Sequence, residues 1–301
     1  MKKALLLCLA VSVMHGGYLA AQRHSLHLFA GGGIINYAGD LKDHPLPQAG
    51  YINPHVKGGV EWQYKRIFRL GLSYMYGELN GDDANTDLTT DRNLQFRSYL
   101  HDVGLDFKFN FLGFPTNRNG IYSDARKEGR FEFYLEAGAG LIFTNPMVDA
   151  GNGQMVQLHL LGTEGQYITG PGYEPMYSLT NARFKTGLGF YWNFTRWVGL
   201  NIYANYNFTT TDYIDDVGGR YPDMTELSMA QNGDRSVFYS WRGNGPFPDR
   251  GTPRGGGFTD GYLVIGASLD VTIARFGRKD RWQLKPCGKS KKNKTRFKKN
   301  V

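Results

Sequence analysis

One period governs most of this chain. Between Gly129 and Pro146, GRFEFYLEAGAGLIFTNP, every second residue is apolar: Phe131, Phe133, Leu135, Ala137, Ala139, Leu141 and Phe143. Glu132, Tyr134, Glu136, Gly138, Gly140, Ile142 and Thr144 fall between them. Successive side chains of an extended strand leave on opposite faces, so this period specifies a strand with one greasy face and one face carrying carboxylates and glycines. The alternation recurs over 55–64, 68–77, 102–111, 183–192, 198–208 and 262–273, and more weakly over 25–37. That makes eight strands, the smallest number used by bacterial outer-membrane barrels.

Two architectures use such strands. A soluble sandwich would turn the apolar faces inward and expose the other rows, including Gly59, Gly71, Gly104, Gly138, Gly140, Gly187 and Gly189. Glycine weakens an exposed strand. A narrow barrel in lipid reverses the faces, and its inward glycines make room for Tyr134, Tyr191, Tyr203 and Tyr262. The expected fold is therefore all-β, an eight-stranded antiparallel transmembrane β-barrel over residues 22–274 with long extracellular loops. Its lumen would hold the cations Lys57, Arg69, Lys108, Arg183 and Lys185 against the anions Glu61, Asp102, Asp106, Glu132, Glu136 and Asp270. Near balance suggests a paired bracing network, because an unpartnered interior charge costs several kcal/mol. Eight strands leave space only for side chains, which argues against a general diffusion pore.

The connections agree. Lys65-Arg66-Ile67 and Thr195-Arg196 read as tight turns, whereas the links after strands one, three, five and seven are long, the last running from about Thr209 to Asp260. Short turns at one end and long loops at the other put both chain ends in the periplasm. Gly113 to Arg130 breaks this pattern by being long where a short turn is expected. Trp62, Tyr64, Phe68, Phe109, Phe111, Phe131, Phe133, Trp192 and Phe194 gather at the expected periplasmic ends, and Tyr74, Tyr76, Phe143, Tyr206 and Phe208 at the opposite ends. Two aromatic bands suit the two interfaces of a bilayer.

The chain ends carry their own signals. Lys2 and Lys3, an apolar run to Met14 and the small residues Ala20-Ala21 describe a secretory signal peptide, residues 1–21. Cys8 falls within it, which leaves Cys287 as a single thiol and no disulfide framework. The formal charge of +8 is unevenly spread. Residues 275–301 hold 12 Lys and Arg against Asp280, and the signal adds two lysines, so the rest carries about −5. This basic tail, poor in aliphatics, is expected to be disordered on the periplasmic side. Lys285, Lys289, Lys291, Lys292, Lys294, Arg296, Lys298 and Lys299 are its candidate docking residues for an acidic protein or the cell wall. The export signal argues against nucleic acid as the partner.

No catalytic motif, phosphate loop or zinc spacing is present, and neither an enzymatic activity nor a cofactor is expected. Gly31-Gly32-Gly33 reads as a bend or bulge in strand one. Asp212, Asp215 and Asp216 crowd TDYIDDV without the spacing of a calcium loop, and read as solvated or Arg-paired loop carboxylates.

FAGGGIINYAGDL, DFKFNFLGF ahead of FEFYLEAGAGLIFTNP, and TDYIDDV with a later Arg-Gly resemble the PorG-like family of small outer-membrane barrels associated with type IX secretion. The similarity spans roughly Leu26 to Ile273, and the last loop and tail are longer than the family leads one to expect. The resemblance implies a non-enzymatic barrel that contacts periplasmic ring proteins of a secretion apparatus. The expected role is an anchor or scaffold in outer-membrane lipid; the alternative is surface binding or uptake through the long loops.

Overall fold

The computed structural model describes residues 24–42, 52–65, 67–85, 91–114, 130–195, 197–255 and 259–276. The signal segment 1–21, the tail from 277 onward and most of the 113–130 connection lie outside the described residues. Among the described residues ten strands occur in the order β1 (His24–Ala38), β2 (Asn53–Tyr64), β3 (Phe68–Asp82), β4 (Gln95–Phe114), β5 (Arg130–Phe143), β6 (Pro146–Asp149), β7 (Met155–Gln157), β8 (Thr180–Asn193), β9 (Val198–Thr209) and β10 (Gly261–Phe276). Two short helices, α1 (Met224–Met229) and α2 (Asp234–Ser240), sit between β9 and β10.

Eight strands form a ring in the order β3-β2-β1-β10-β9-β8-β5-β4, and a β3–β4 pairing from Phe68↔Phe109 to Asp82↔Gln95 closes it. Every neighbouring pair is antiparallel. The short β6 and β7 stand outside the ring as an extension from β4. Tight turns join β2 to β3, where Lys65 takes a φ of 48° and Ile67 N–H donates to the Tyr64 carbonyl, and β8 to β9.

The distribution of side chains is the inverse of a soluble protein's. Leu72, Leu105, Phe111, Leu135, Phe184, Leu188 and Leu269 point outward and are 53–61% exposed, while Arg69 and Arg183 are among the largest fully buried side chains. Apolar rows facing out and charges facing in are what a barrel crossing a bilayer needs, since hydrocarbon offers nothing to hydrogen-bond. At one end Phe68 stacks on Phe109 and Phe131 on Trp192; at the other Tyr76 stacks on Tyr99 beside His101.

The glycine triplet corrects one expectation. β1 runs unbroken through Gly31-Gly32-Gly33, and its one register shift lies between Leu26 and His27. The glycines serve close approach instead: a Cβ at Gly31 would lie 2.1 Å from the Ala267 carbonyl oxygen, and one at Gly33 2.1 Å from that of Ile265. β3 and β4 also continue past the alternation expected of them, and in that extension the polarity of the faces reverses. Leu79, Leu94, Phe96 and Leu100 turn inward and are buried, whereas Arg97 is 52% exposed and pairs with Glu78 at 3.0 Å. Such a reversal suits a wall that stands in water rather than in hydrocarbon. The main apolar core lies here and in the loops above, with Ile35, Tyr37, Leu41, Ile142, Ile214, Val217 and Tyr262.

Candidate functional site

Two linked regions concentrate the chemistry: a charged lumen and a cap made by the outer loops. Strand register builds the lumen, because Arg69 lies opposite Lys108, Lys108 opposite Glu136, and Gly138 opposite Lys185 on inward faces. All eleven sequence-derived lumen residues are buried in the barrel.

They fall into two groups. Toward the tight turns, Arg69 Nη1 donates to Asp270 Oδ2 at 2.9 Å and to Glu61 Oε2 at 3.3 Å, and its guanidinium lies 3.6 Å from the centre of the Tyr191 ring. Lys108 Nζ donates to Glu61 Oε1 and, at 2.9 Å, to Tyr191 Oη. Glu132 accepts from Asn110 Nδ2 at 3.2 Å. Higher up, Asp106 receives Lys185 Nζ at 2.8 and 2.9 Å and Ser73 Oγ at 2.7 Å, with Lys57 Nζ at 3.5 Å. Arg183 Nε donates to both oxygens of Asp102 at 2.9 and 3.0 Å, while its Nη2 reaches Asp106 at 3.4 Å. Glu136 lies 3.8 Å from Lys57 and 3.7 Å from Lys185.

Glycine makes this crowding feasible. A Cβ on Gly104 would sit 2.2 Å from Arg183 Nη2. Charges held this way brace the wall and fill the space a solute would need. Two buried histidines that the sequence reading does not single out join them. His27 Nδ1 lies 2.7 Å from Asp270 Oδ1, and His55 Nε2 lies 3.0 Å from Tyr203 Oη. His55 alternates with apolar neighbours and is legible as inward; His27 faces in by the ordinary alternation of β1, on the same side as Phe29, Ile35 and Tyr37.

The cap centres on TDYIDDV. Ile214 and Val217 plunge into the apolar core, and Asp216 adopts a positive φ of 70° between them. Asp216 accepts hydrogen bonds from Thr163 Oγ1 and Tyr177 Oη, both at 2.6 Å, and Arg254 Nη1 donates to its carbonyl at 2.6 Å. Arg254 Nη1 also donates to Glu164 Oε1 at 3.0 Å, where the amides of Gly218 and Gly219 converge. The Arg-Gly that belongs with TDYIDDV is thus Arg254-Gly255. Arg92 grips Asp83 at 2.8 and 2.7 Å and donates to the Asp40 carbonyl at 3.0 Å.

Burial corrects the reading of these carboxylates as solvated, since Asp215 and Asp216 are 1% and 0% exposed. Asp216 is the Arg-paired one, 3.9 Å from Arg254 Nη2. Burial pushes the Asp216 carboxyl up to about 6 against the pull of Arg254. Burial, with Asp40 and Glu164 nearby, pushes Asp212 up to about 7. Asp215 and Asp260 are held well above the usual carboxylate range, first by burial and then by Asp40 and Asp215 respectively. Among the described residues no group of three or more His, Cys, Asp or Glu is arranged to hold a metal ion. The candidate docking lysines of the tail lie outside the described residues.

A family described as a domain of unknown function, DUF6089, matches residues 2–123. Comparison with curated protein sequences returns no match. Among solved structures, Neisserial surface protein A is similar at 12% identity and a TM-score of 0.36, covering 82% of this chain and 97% of that one. Ail, the attachment invasion locus protein of Yersinia pestis, in complex with the heparin analogue sucrose octasulfate, is similar at 8% identity and 0.31, covering 84% and 99%. Likeness at these scores carries no weight for the assignment; the closed eight-stranded ring stands on its own β3–β4 pairing.

Proposed function

We propose that this protein is a non-enzymatic barrel of the outer membrane that serves as an anchor or scaffold, with both chain ends in the periplasm. The observation that carries this reading is a lumen filled by paired buried side chains beneath a packed cap, which leaves the protein its surfaces and its ends to work with. His24 pairs with Phe276 at the tight-turn end, so the basic tail leaves the barrel there. Barrels of this kind keep their short turns periplasmic. The tail then offers Lys285 to Lys299 to an acidic periplasmic partner, a ring protein of the secretion machinery or the cell wall. The resemblance of its motifs to the PorG-like barrels supports a place in type IX export.

Comparing the extracellular proteome of a deletion strain with that of the wild type tests the export role. Unchanged secretion would remove it and leave the anchor. Deleting Lys285 to Val301 tests the tail separately: loss of the barrel's periplasmic partners is the expected outcome, and unchanged export and unchanged partners would remove the docking role. A second reading, surface binding or uptake through the loops, is favoured by the ordered cap, on which Leu160, Met229 and Phe238 are 54%, 81% and 54% exposed. Crosslinks confined to the cap in intact cells would favour that reading over the scaffold.

A further inference from the structure

Tyr37, next to last in β1, lies beneath the cap, and its hydroxyl touches two carboxylates. Tyr37 Oη lies 2.6 Å from Asp215 Oδ2 and 2.7 Å from Asp260 Oδ1. All three side chains are buried. The remaining carboxylate oxygens are engaged as well: Val217 N–H donates to Asp215 Oδ1 at 2.9 Å and Ile214 N–H to Asp260 Oδ2 at 2.8 Å. A phenol has one proton to give. It can satisfy one carboxylate, and the other short O···O contact is then attractive only if that carboxyl carries a proton of its own and donates it to Tyr37 Oη.

Beyond the backbone amides, the attraction the surroundings offer Asp215 is the field of Arg92, which counts for less than burial and Asp40. Asp40 and Asp212 add negative charge near the pair. The Tyr206 hydroxyl on β9 reaches the Gly261 backbone beside Asp260. Arg242, Arg254 and Tyr239 line the same small pocket as Asp215, and Arg92 is the cation nearest by its field. Arg92 is committed to Asp83, and Arg254 to Glu164 and Asp216. Among the described residues no cation lies within ion-pair distance of Asp215 or Asp260. Two buried carboxylates sharing one site cannot both ionise without severe repulsion. Gly39 marks how close the fit is, because a Cβ there would lie 1.9 Å from Asp260 Oδ1 and 2.0 Å from Tyr37 Oη.

We propose that Tyr37, Asp215 and Asp260 form a proton-binding latch. One proton shared between the two carboxyls, beyond the phenol's own, fastens the long β9–β10 loop over the barrel mouth. Loss of that proton to an external base leaves two carboxylates competing for one donor, and the loop is released. The latch therefore closes in acid and neutral conditions and opens in alkali. It does not depend on the scaffold role.

Asparagine supplies the test, because its amide donates where the protonated acid would. In either D215N or D260N the amide serves Tyr37 Oη, Tyr37 serves the remaining carboxylate, and no extra proton is required. Infrared difference spectra of the full-length protein in detergent at pH 8 are expected to contain a deuterium-sensitive carboxylic-acid carbonyl band that both variants lose. Protease cleavage at the exposed Arg220, Arg235 and Arg250, normalised to a free peptide, is expected to rise about tenfold in the wild type between pH 7 and pH 10 and less than about twofold in either variant. Heat-modifiable gel migration verifies that each barrel has folded, and Y37F, which removes the bridging hydroxyl, is expected to expose the loop at both pH values. A wild type without the band, a band that persists in both variants, or cleavage that rises equally in all of them overturns the latch.

Discussion

Arg183 shows how one residue holds this barrel's interior. It is 0% exposed, and its guanidinium serves Asp102 and Asp106 together. Removing one partner of a buried ion pair strands the other's charge, which costs about 3–5 kcal/mol. R183M is expected to lose that much in denaturant unfolding of the lipid-reconstituted protein, and D102N combined with it to recover part. A loss below about 1 kcal/mol would mean that the lumen is wet enough to solvate the orphaned carboxylates. Asp212 in the cap makes a second residue-level prediction. Burial, and then the charges of Asp40 and Glu164, push its folded carboxyl up to about 7 from an ordinary 3.8. The folded state therefore binds the proton more tightly than the unfolded chain, so Asp212's contribution is most favourable below pH 4 and falls away as pH rises toward 7. D212N should protect cap amides better than the wild type at pH 8 and equally at pH 4, in hydrogen exchange corrected for intrinsic rates. Equal protection at both values would mean that Asp212 stays solvated.

Single strands record a change of solvent along their own length. On β4 the outward residues pass from Gln95 and Arg97 through Tyr99 to Val103, Leu105 and Phe107, while Phe96 and Leu100 on the inner face give way to Asp102, Asp106 and Lys108. Tyr99 stands at the crossover, as an amphipathic ring at a membrane interface should. A charge placed outward at mid-bilayer costs about 2–4 kcal/mol, and almost nothing beyond the interface. L105R should accordingly lose that much in refolding into liposomes, and Q95R, on the same face ten residues earlier, should lose little. Equal losses would place the lipid boundary wrongly. Part of this pattern is legible in the amino-acid sequence: the apolar rows of β5 and the eleven lumenal charges follow from the period alone. The crossover is also written in GELNGD and QFRSYL, but a single-phase reading of the alternation stops where the polarity flips. His27 is legible in the same way, in phase with Phe29, Ile35 and Tyr37 along β1, and what the sequence does not show is its partner Asp270, 243 residues away.

At the scale of the molecule, the paired lumen and the cap act in series as two seals. Ser73, Tyr191, Tyr203 and Tyr262 occupy the room between the charged groups, and Ile214 and Val217 close the mouth above them. Planar-bilayer recordings of the full chain are expected to show no steps above baseline at neutral pH, and a stable open channel would refute the double seal. Period-two patterning determined, by itself, strands with one apolar and one charged face, because the pleat sends neighbouring side chains to opposite faces wherever the strand lies; the inward glycines, alternating loop lengths and aromatic bands turned that into a membrane barrel. Only the tertiary structure decided which carboxylate meets which cation, that TDYIDDV folds down as a lid, and that Tyr37 stands between two acids. Those outcomes depend on register across strands and on the loss of water from groups as much as 223 residues apart, and neither is a property of any short stretch of chain.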